Sequence, residues 1–277
     1  MKKLIVCSFL FSAALMSCNK IDQPLKNEYG FAPLPDSSSK VVLLEEFTGT
    51  SCNNCPEAAE KARELYETFP GQVVLLAIHA GGFSIPNDKH PQDFRTQTGN
   101  DIYNFFRPQG VPSGMFDRSG HPDPGAPLFP SKWDAAIVEE LNKPAVLALT
   151  PAFNFDETKK ELNLRTEIVA TSNLPEGDYF FSAFVYEDSI VAPQTLEDGV
   201  SIDYDYVHMH MLRGSFTGNS FGESVVEGTL NNGAAYAKAY TIKADEKWNP
   251  EHLGAVFFLY DRNTYEIIQA GSAHLHK

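Results

Sequence analysis

A buried-strand pattern that runs into a Cys-x-x-Cys, and from there directly into an amphipathic helix, constrains this chain more than any other stretch. Val41-Val42-Leu43-Leu44-Glu45-Glu46-Phe47 is apolar enough for a strand covered on both faces, and Thr48-Gly49-Thr50-Ser51 reads as a turn before Cys52-Asn53-Asn54-Cys55. Ala58, Ala59, Ala62, Leu65, Tyr66 and Phe69 mark one face of a helix predicted from Pro56 to Phe69, with Glu57, Glu60, Lys61, Glu64 and Glu67 opposite. Pro70-Gly71 stops it, and Val73–Ile78 is a second buried strand, parallel to the first through a right-handed crossover. A dithiol at a strand-to-helix junction has a chemical use. The helix N-terminus stabilises a thiolate on the first sulfur, and the second lies one turn away to resolve a mixed disulfide.

The other cysteines narrow the choice. Of 4 in total, Cys7 sits in an apolar run, Leu4 to Leu15, behind Lys2 and Lys3; the run is shaped like a secretory signal and is too short to span a bilayer. It closes with Leu15-Met16-Ser17-Cys18, which resembles the bacterial lipoprotein signal. That resemblance implies removal of residues 1–17 and lipidation of Cys18, where several acyl chains at roughly 0.8 kcal/mol per buried CH₂ make a firm anchor. Cys52 and Cys55 are then the pair left in the folded part, free to form a disulfide with each other in oxidising surroundings. A zinc ribbon needs a second pair, so no metal is expected, and no phosphate-binding glycine loop or nucleophile elbow points to a cofactor or a serine hydrolase. Lys+Arg 22 against Asp+Glu 36 gives a net charge of −14 without a basic cluster, which argues against nucleic acid and against charge-driven membrane binding.

Residues 18–39 are polar with scattered Pro and a Ser37-Ser38-Ser39 run, and read as a tether of roughly 25 Å root-mean-square span. Residues 40–143 carry the β-α-β unit, an amphipathic stretch around Ile102, Phe105 and Phe106, Gly110-Val111-Pro112-Ser113 before a strand at Gly114–Asp117, and a helix from about Lys132 to Leu141 with Ser131 as N-cap. From 144 to 277 the texture changes to alternating strands (Phe153/Phe155, Leu162/Leu164/Thr166/Ile168, Phe181/Ala183/Val185) with hairpins at Asp156–Lys160 and Asp261–Thr264. This predicts an antiparallel, immunoglobulin-like β-sandwich domain.

Strand, dithiol at a helix start, then a Val-Pro turn before a later strand: in this order residues 40–143 resemble the thioredoxin family. The resemblance implies an α/β thioredoxin-like domain with Cys52 as nucleophile, Cys55 as resolving thiol and a cis Val111–Pro112 bond beside them. Val111 would be the substrate-docking residue. It also implies that Glu46, six residues before Cys52, is a buried acid that exchanges a proton with Cys55. Ser51 stands where these proteins commonly have an aromatic residue, and Asn53-Asn54 where they have Gly-Pro.

Glu45-Glu46-Phe47-Thr48-Gly49-Thr50-Ser51-Cys52-Asn53-Asn54-Cys55-Pro56, the Val111-Pro112 turn, the lipoprotein signal and Val207-His208-Met209-His210-Met211-Leu212-Arg213 together resemble the outer-membrane-protein-28-related lipoproteins of Bacteroidetes. The resemblance implies an outer-membrane lipoprotein, facing the periplasm or the cell surface. Its partners would be exported thiol- or disulfide-containing proteins, with the membrane engaged through lipidated Cys18. The alternative is a surface binding or adhesion lipoprotein in which the Cys52–Cys55 bond is a structural clip. Among weaker signals, His79 reads as a satisfied strand-end residue, His90 has no evident partner, and His208/His210 and His274/His276 read as surface histidines.

Overall fold

The protein is described by a computed structural model over residues 39–121 and 127–275; the expected signal, Cys18, the predicted tether up to residue 38 and His276 lie outside these residues. The first strand, β1 (Val42–Thr48), is buried along its whole length, as its near-continuous apolar run requires of a strand with neighbours on both edges and layers on both faces. Helix α1 (Cys55–Thr68) buries Ala58, Ala62 and Leu65 against it, has Pro56 in the first turn, and is followed by a left-handed Gly71. The chain returns as β2 (Val73–His79), parallel to β1 with Val42 opposite Val73 and Thr48 opposite His79. Helix α2 (Gln97–Phe106), capped by Thr96, leads to β3 (Ser113–Phe116), which runs antiparallel to β1 with Phe47 opposite Ser113. Helix α3 (Trp133–Leu141) follows a short 3-10 turn over Pro130–Lys132. Its N-cap is Lys132, not Ser131, because that extra turn carries the chain past the serine before the α-helix begins.

The remaining strands are β4 (Leu147–Asp156), β5 (Glu161–Ala170), the long β6 (Leu174–Glu187), four two-residue strands, then β11 onwards. The short ones are β7 (Ile190–Val191), β8 (Gln194–Thr195), β9 (Ile202–Asp203) and β10 (Val207–His208). The last set is β11 (Met211–Ser215), β12 (Glu223–Leu230), β13 (Ala235–Lys243), β14 (Leu253–Asp261) and β15 (Ile267–His274). One 8-stranded mixed sheet runs β15-β14-β6-β11-β2-β1-β3, with β12 also on β6. Strands from both sides of residue 143 therefore share a sheet, joined where Met211 of β11 pairs in parallel with Ala77 of β2.

Period-two alternation puts this sheet between two cores. Phe184, Tyr186, Val256, Phe258 and Tyr260 continue the core that Leu43, Phe47, Leu76 and Ile78 form with Ile102 and Phe106 of α2. On the opposite face, Phe181, Ala183, Val185, Ala255, Phe257 and Leu259 meet Leu147, Leu149, Leu162, Leu164 and Ile168 of the three-stranded antiparallel sheet β13-β5-β4. The antiparallel strands foreseen after residue 144 are present. Their second layer, however, is the mixed sheet itself, because Tyr179–Tyr186 of β6 and most of β14 have apolar side chains at nearly every position and need cover on both faces.

Candidate functional site

The dithiol sits where β1 ends. Gly49 is required there: a Cβ would lie 2.6 Å from the Phe83 carbonyl carbon. The close approach lets Ser51 N donate to Phe83 O at 3.0 Å and Cys52 N to Gly49 O at 3.1 Å, which fixes the turn into α1. Cys52 and Cys55 form a disulfide with Cα atoms 5.4 Å apart. The Val111–Pro112 peptide is cis, and the Phe47–Ser113 register carries it to the same end of β1 as the dithiol turn.

Glu45 and Glu46 are neighbours on a strand, so they face opposite layers. Glu45 is fully buried and meets Arg118, equally buried, through two hydrogen bonds of 2.7 and 2.6 Å. The guanidinium lies 5.0 Å from the Phe106 ring centroid and 4.8 Å from that of Phe258. Glu46 faces the α1 side, is 6% exposed, and its Oε1 has no hydrogen-bond partner among the described residues. Burial without a counter-charge pushes its carboxyl up to about 8, so the acid is largely protonated at neutral pH.

The segment between β6 and β11 leaves the sheet and folds over the dithiol as nested hairpins, with β7 on β10 and β8 on β9. Gln194 Nε2 donates to Cys52 O at 2.8 Å, Thr195 N donates to Thr50 O at 2.9 Å, and Asn53 Nδ2 donates to Glu197 O at 3.2 Å. His90 joins the two loops, with Nε2 at 3.1 Å from Thr195 Oγ1 and Nδ1 at 3.4 Å from Ser51 Oγ. Both cysteines are 2% exposed beneath this arm.

Behind the disulfide, between α1 and the returning residues 206–210, lies a cavity of about 630 Å³ lined by Cys55, Glu46, His79 and His208 among others. His79 is 4% exposed and His208 6%; their rings are 5.5 Å apart. Neither nitrogen of His79, and not Nε2 of His208, has a hydrogen-bond partner among the described residues. Burial holds His79 down to about 3 and His208 to about 4, so both stay neutral. His79 is thus not a satisfied strand-end residue, and His208 is not on the surface. β2 aims its odd-numbered side chains at α1, and β10 folds back over them. No group of three or more His, Cys, Asp or Glu placed to hold a metal occurs among the described residues.

Sequence reasoning placed Cys52, Cys55, Glu46, Val111 and Pro112 at one end of β1, and the fold brings them there. It missed Gln194, Thr195 and the role of His90. The first two lie about 140 residues from the dithiol on two-residue strands that carry no periodic signal.

Parallel β1 and β2 around a helix that starts at a disulfide-bonded Cys-x-x-Cys, with a cis X-Pro before an antiparallel β3, define a thioredoxin-like protein, here with antiparallel β-sheet built onto it. A family model described as outer membrane protein Omp28 matches residues 99–277. The chain belongs to that family, and the matched region begins after the dithiol. The solved structure of HBP35 of Porphyromonas gingivalis is similar over 86% of this chain and 76% of that one, with TM-score 0.64 and 18% identity, which shows a shared fold. A protein of Agrobacterium tumefaciens matches over 86% of this chain and 96% of its own at TM-score 0.47 and 14% identity. A domain of the outer membrane lipoprotein Omp28 from Porphyromonas gingivalis matches over 47% and 88%, at TM-score 0.31 and 15% identity. No curated protein is significantly similar in sequence.

Proposed function

We propose that this chain is a lipid-anchored outer-membrane protein that carries out thiol–disulfide exchange on exported proteins through Cys52 and Cys55, with Cys18 as the anchor. The observation that carries the reading is a Cys-x-x-Cys disulfide at a helix start that shares a cavity wall with a buried acid lacking a counter-charge, which burial keeps protonated. In the oxidising direction a substrate thiolate attacks Cys52 Sγ, the Cys52–Cys55 bond breaks, and Cys55 leaves as a thiolate that takes its proton from Glu46. A second substrate thiolate then attacks the mixed disulfide and releases Cys52 as a thiolate. The substrate has formed one disulfide and lost two electrons; the protein has gained them as a dithiol. The reverse sequence reduces a substrate disulfide, with Glu46 as the base that activates Cys55. Val111 and Pro112 supply the docking edge for the extended substrate.

A second reading has its own observation. Both cysteines are 2% exposed under Gln194 and Thr195, as a structural clip in a binding lipoprotein would be. Equilibration in glutathione or dithiothreitol redox buffers separates the two readings. An exchange protein has a midpoint between about −120 and −270 mV, whereas a clip resists reduction to below about −300 mV.

A further inference from the structure

Apart from Glu46 and Cys55, the cavity behind the dithiol is built of parts the exchange chemistry does not use. Its α1 wall is made small by Ala59 and Ala62, and its floor by Ala77 of β2, so the helix and the sheet face stand apart where larger residues would have closed them. The volume of about 630 Å³ falls within the range of small-molecule sites, roughly 300–1,000 Å³. Three of the lining side chains are buried to nine-tenths or more and carry unpartnered polar atoms: Glu46 Oε1, both His79 nitrogens and His208 Nε2. Buried groups of this kind are normally satisfied, so four orphan atoms on three residues that line one cavity leave its wall short of partners that an occupant could supply.

The charges at the site decide the kind of molecule. Arg63, the one cation among the lining residues apart from histidine, is committed to Glu60 and Glu67 on its own helix. Asp188 is held by His210 at 3.2 Å and accepts from the His210 backbone at 2.7 Å. An anion would therefore meet no free counter-charge and three rim carboxylates. The floor is neutral as well, since Glu46 is held protonated and both histidines unprotonated.

We infer that this cavity is a binding site for a neutral small molecule with an apolar, ring-sized body and a hydrogen-bonding head seated on Glu46, His79 and His208. The site shares Glu46 and Cys55 with the proposed exchange chemistry, but Cys52 does not line it, and binding requires no change at the disulfide.

Two fluorophores with one ring skeleton test the charge argument. N-Phenyl-1-naphthylamine is neutral and carries an N–H; 8-anilinonaphthalene-1-sulfonate adds an anionic group. Titrated into the purified full chain, the neutral probe should saturate at one site per chain, and the sulfonate should bind at least tenfold more weakly. Ala59→Trp fills the cavity from the helix side and should weaken the neutral probe at least tenfold while far-UV circular dichroism is retained. Should that variant fail to fold, Met209→Trp on the exposed rim gives a reporter whose emission the neutral probe should quench with the same midpoint as its own fluorescence rises. Binding should persist in Cys52→Ser, which abolishes exchange, so the two readings fail separately. Equal affinity for the two probes, no saturation, unchanged affinity in a folded Ala59→Trp, or no quenching in Met209→Trp would overturn the inference.

Discussion

Glu45 and Glu46 differ by one position on β1, and that one step gives them opposite fates. Glu45 is neutralised by a bidentate Arg118 that stacks among Phe106, Phe258 and Tyr260; Glu46 is left bare toward the cavity. Breaking the first pair strands a buried charge. Arg118→Met should therefore cost about 3–5 kcal/mol in denaturant unfolding, and Glu45→Leu combined with it should recover most of that loss. For Glu46 the sign follows from a folded-state value of about 8 against the ordinary 4.5. Below about 4.5 the acid is protonated in both states and costs nothing; as pH rises toward 8 the unfolded chain ionises first and stability is lost. Glu46→Gln removes that loss. Its stability relative to wild type should grow between pH 5 and 8, by a few kcal/mol on the order of 1.4 per unit, and level off above. Equal pH dependence in the two proteins would place the carboxyl in water. Glu46 was legible in the sequence because its distance from Cys52 set its strand position. Arg118 was not: it reaches β1 through consecutive left-handed residues, Asp117 and Arg118, that end β3.

At the scale of elements, α1 and β1–β3 were readable because each shows a clean period and a turn signal, and their ends fall within a residue or two of the expected positions. The arm from Asp188 to His210 was not. Its strands are two residues long, and its contacts with the dithiol turn, side chain to backbone and backbone to backbone, reach across about 140 residues. That arm bonds to the dithiol turn and both cysteines are buried beneath it, so lifting it should govern reduction of the disulfide. Gln194→Ala removes the donor to Cys52 O and Gly49 O and should lower the cost of lifting the arm by about 1–2 kcal/mol, a roughly five- to thirty-fold change. Stopped-flow reduction by dithiothreitol should accelerate by that factor with little change in global stability. An unaltered rate would mean that the arm does not gate the thiols.

For the whole molecule, sequence texture divides the chain near residue 143, but the sheet does not. The alternating strands were visible in their two-residue period. That they complete the thioredoxin-like sheet was not, because an apolar strand face does not name the layer that covers it. Leu43 and Phe47 share one core with Phe184, Phe258 and Tyr260, so a fragment of residues 40–143 exposes that face and should stay unfolded or aggregate. Calorimetry of the full chain should give a single transition; two independent transitions would contradict a shared core. The joining of the halves also sets the arm over the dithiol, so the proposed exchange chemistry would depend on both. The most direct measurement is covalent trapping in the cell envelope. Cys55→Ser, expressed from the full-length sequence, should accumulate reducible disulfide adducts with exported proteins through Cys52, and these should vanish when Cys52→Ser is added. Absence of any adduct above that double-variant background would contradict the exchange function.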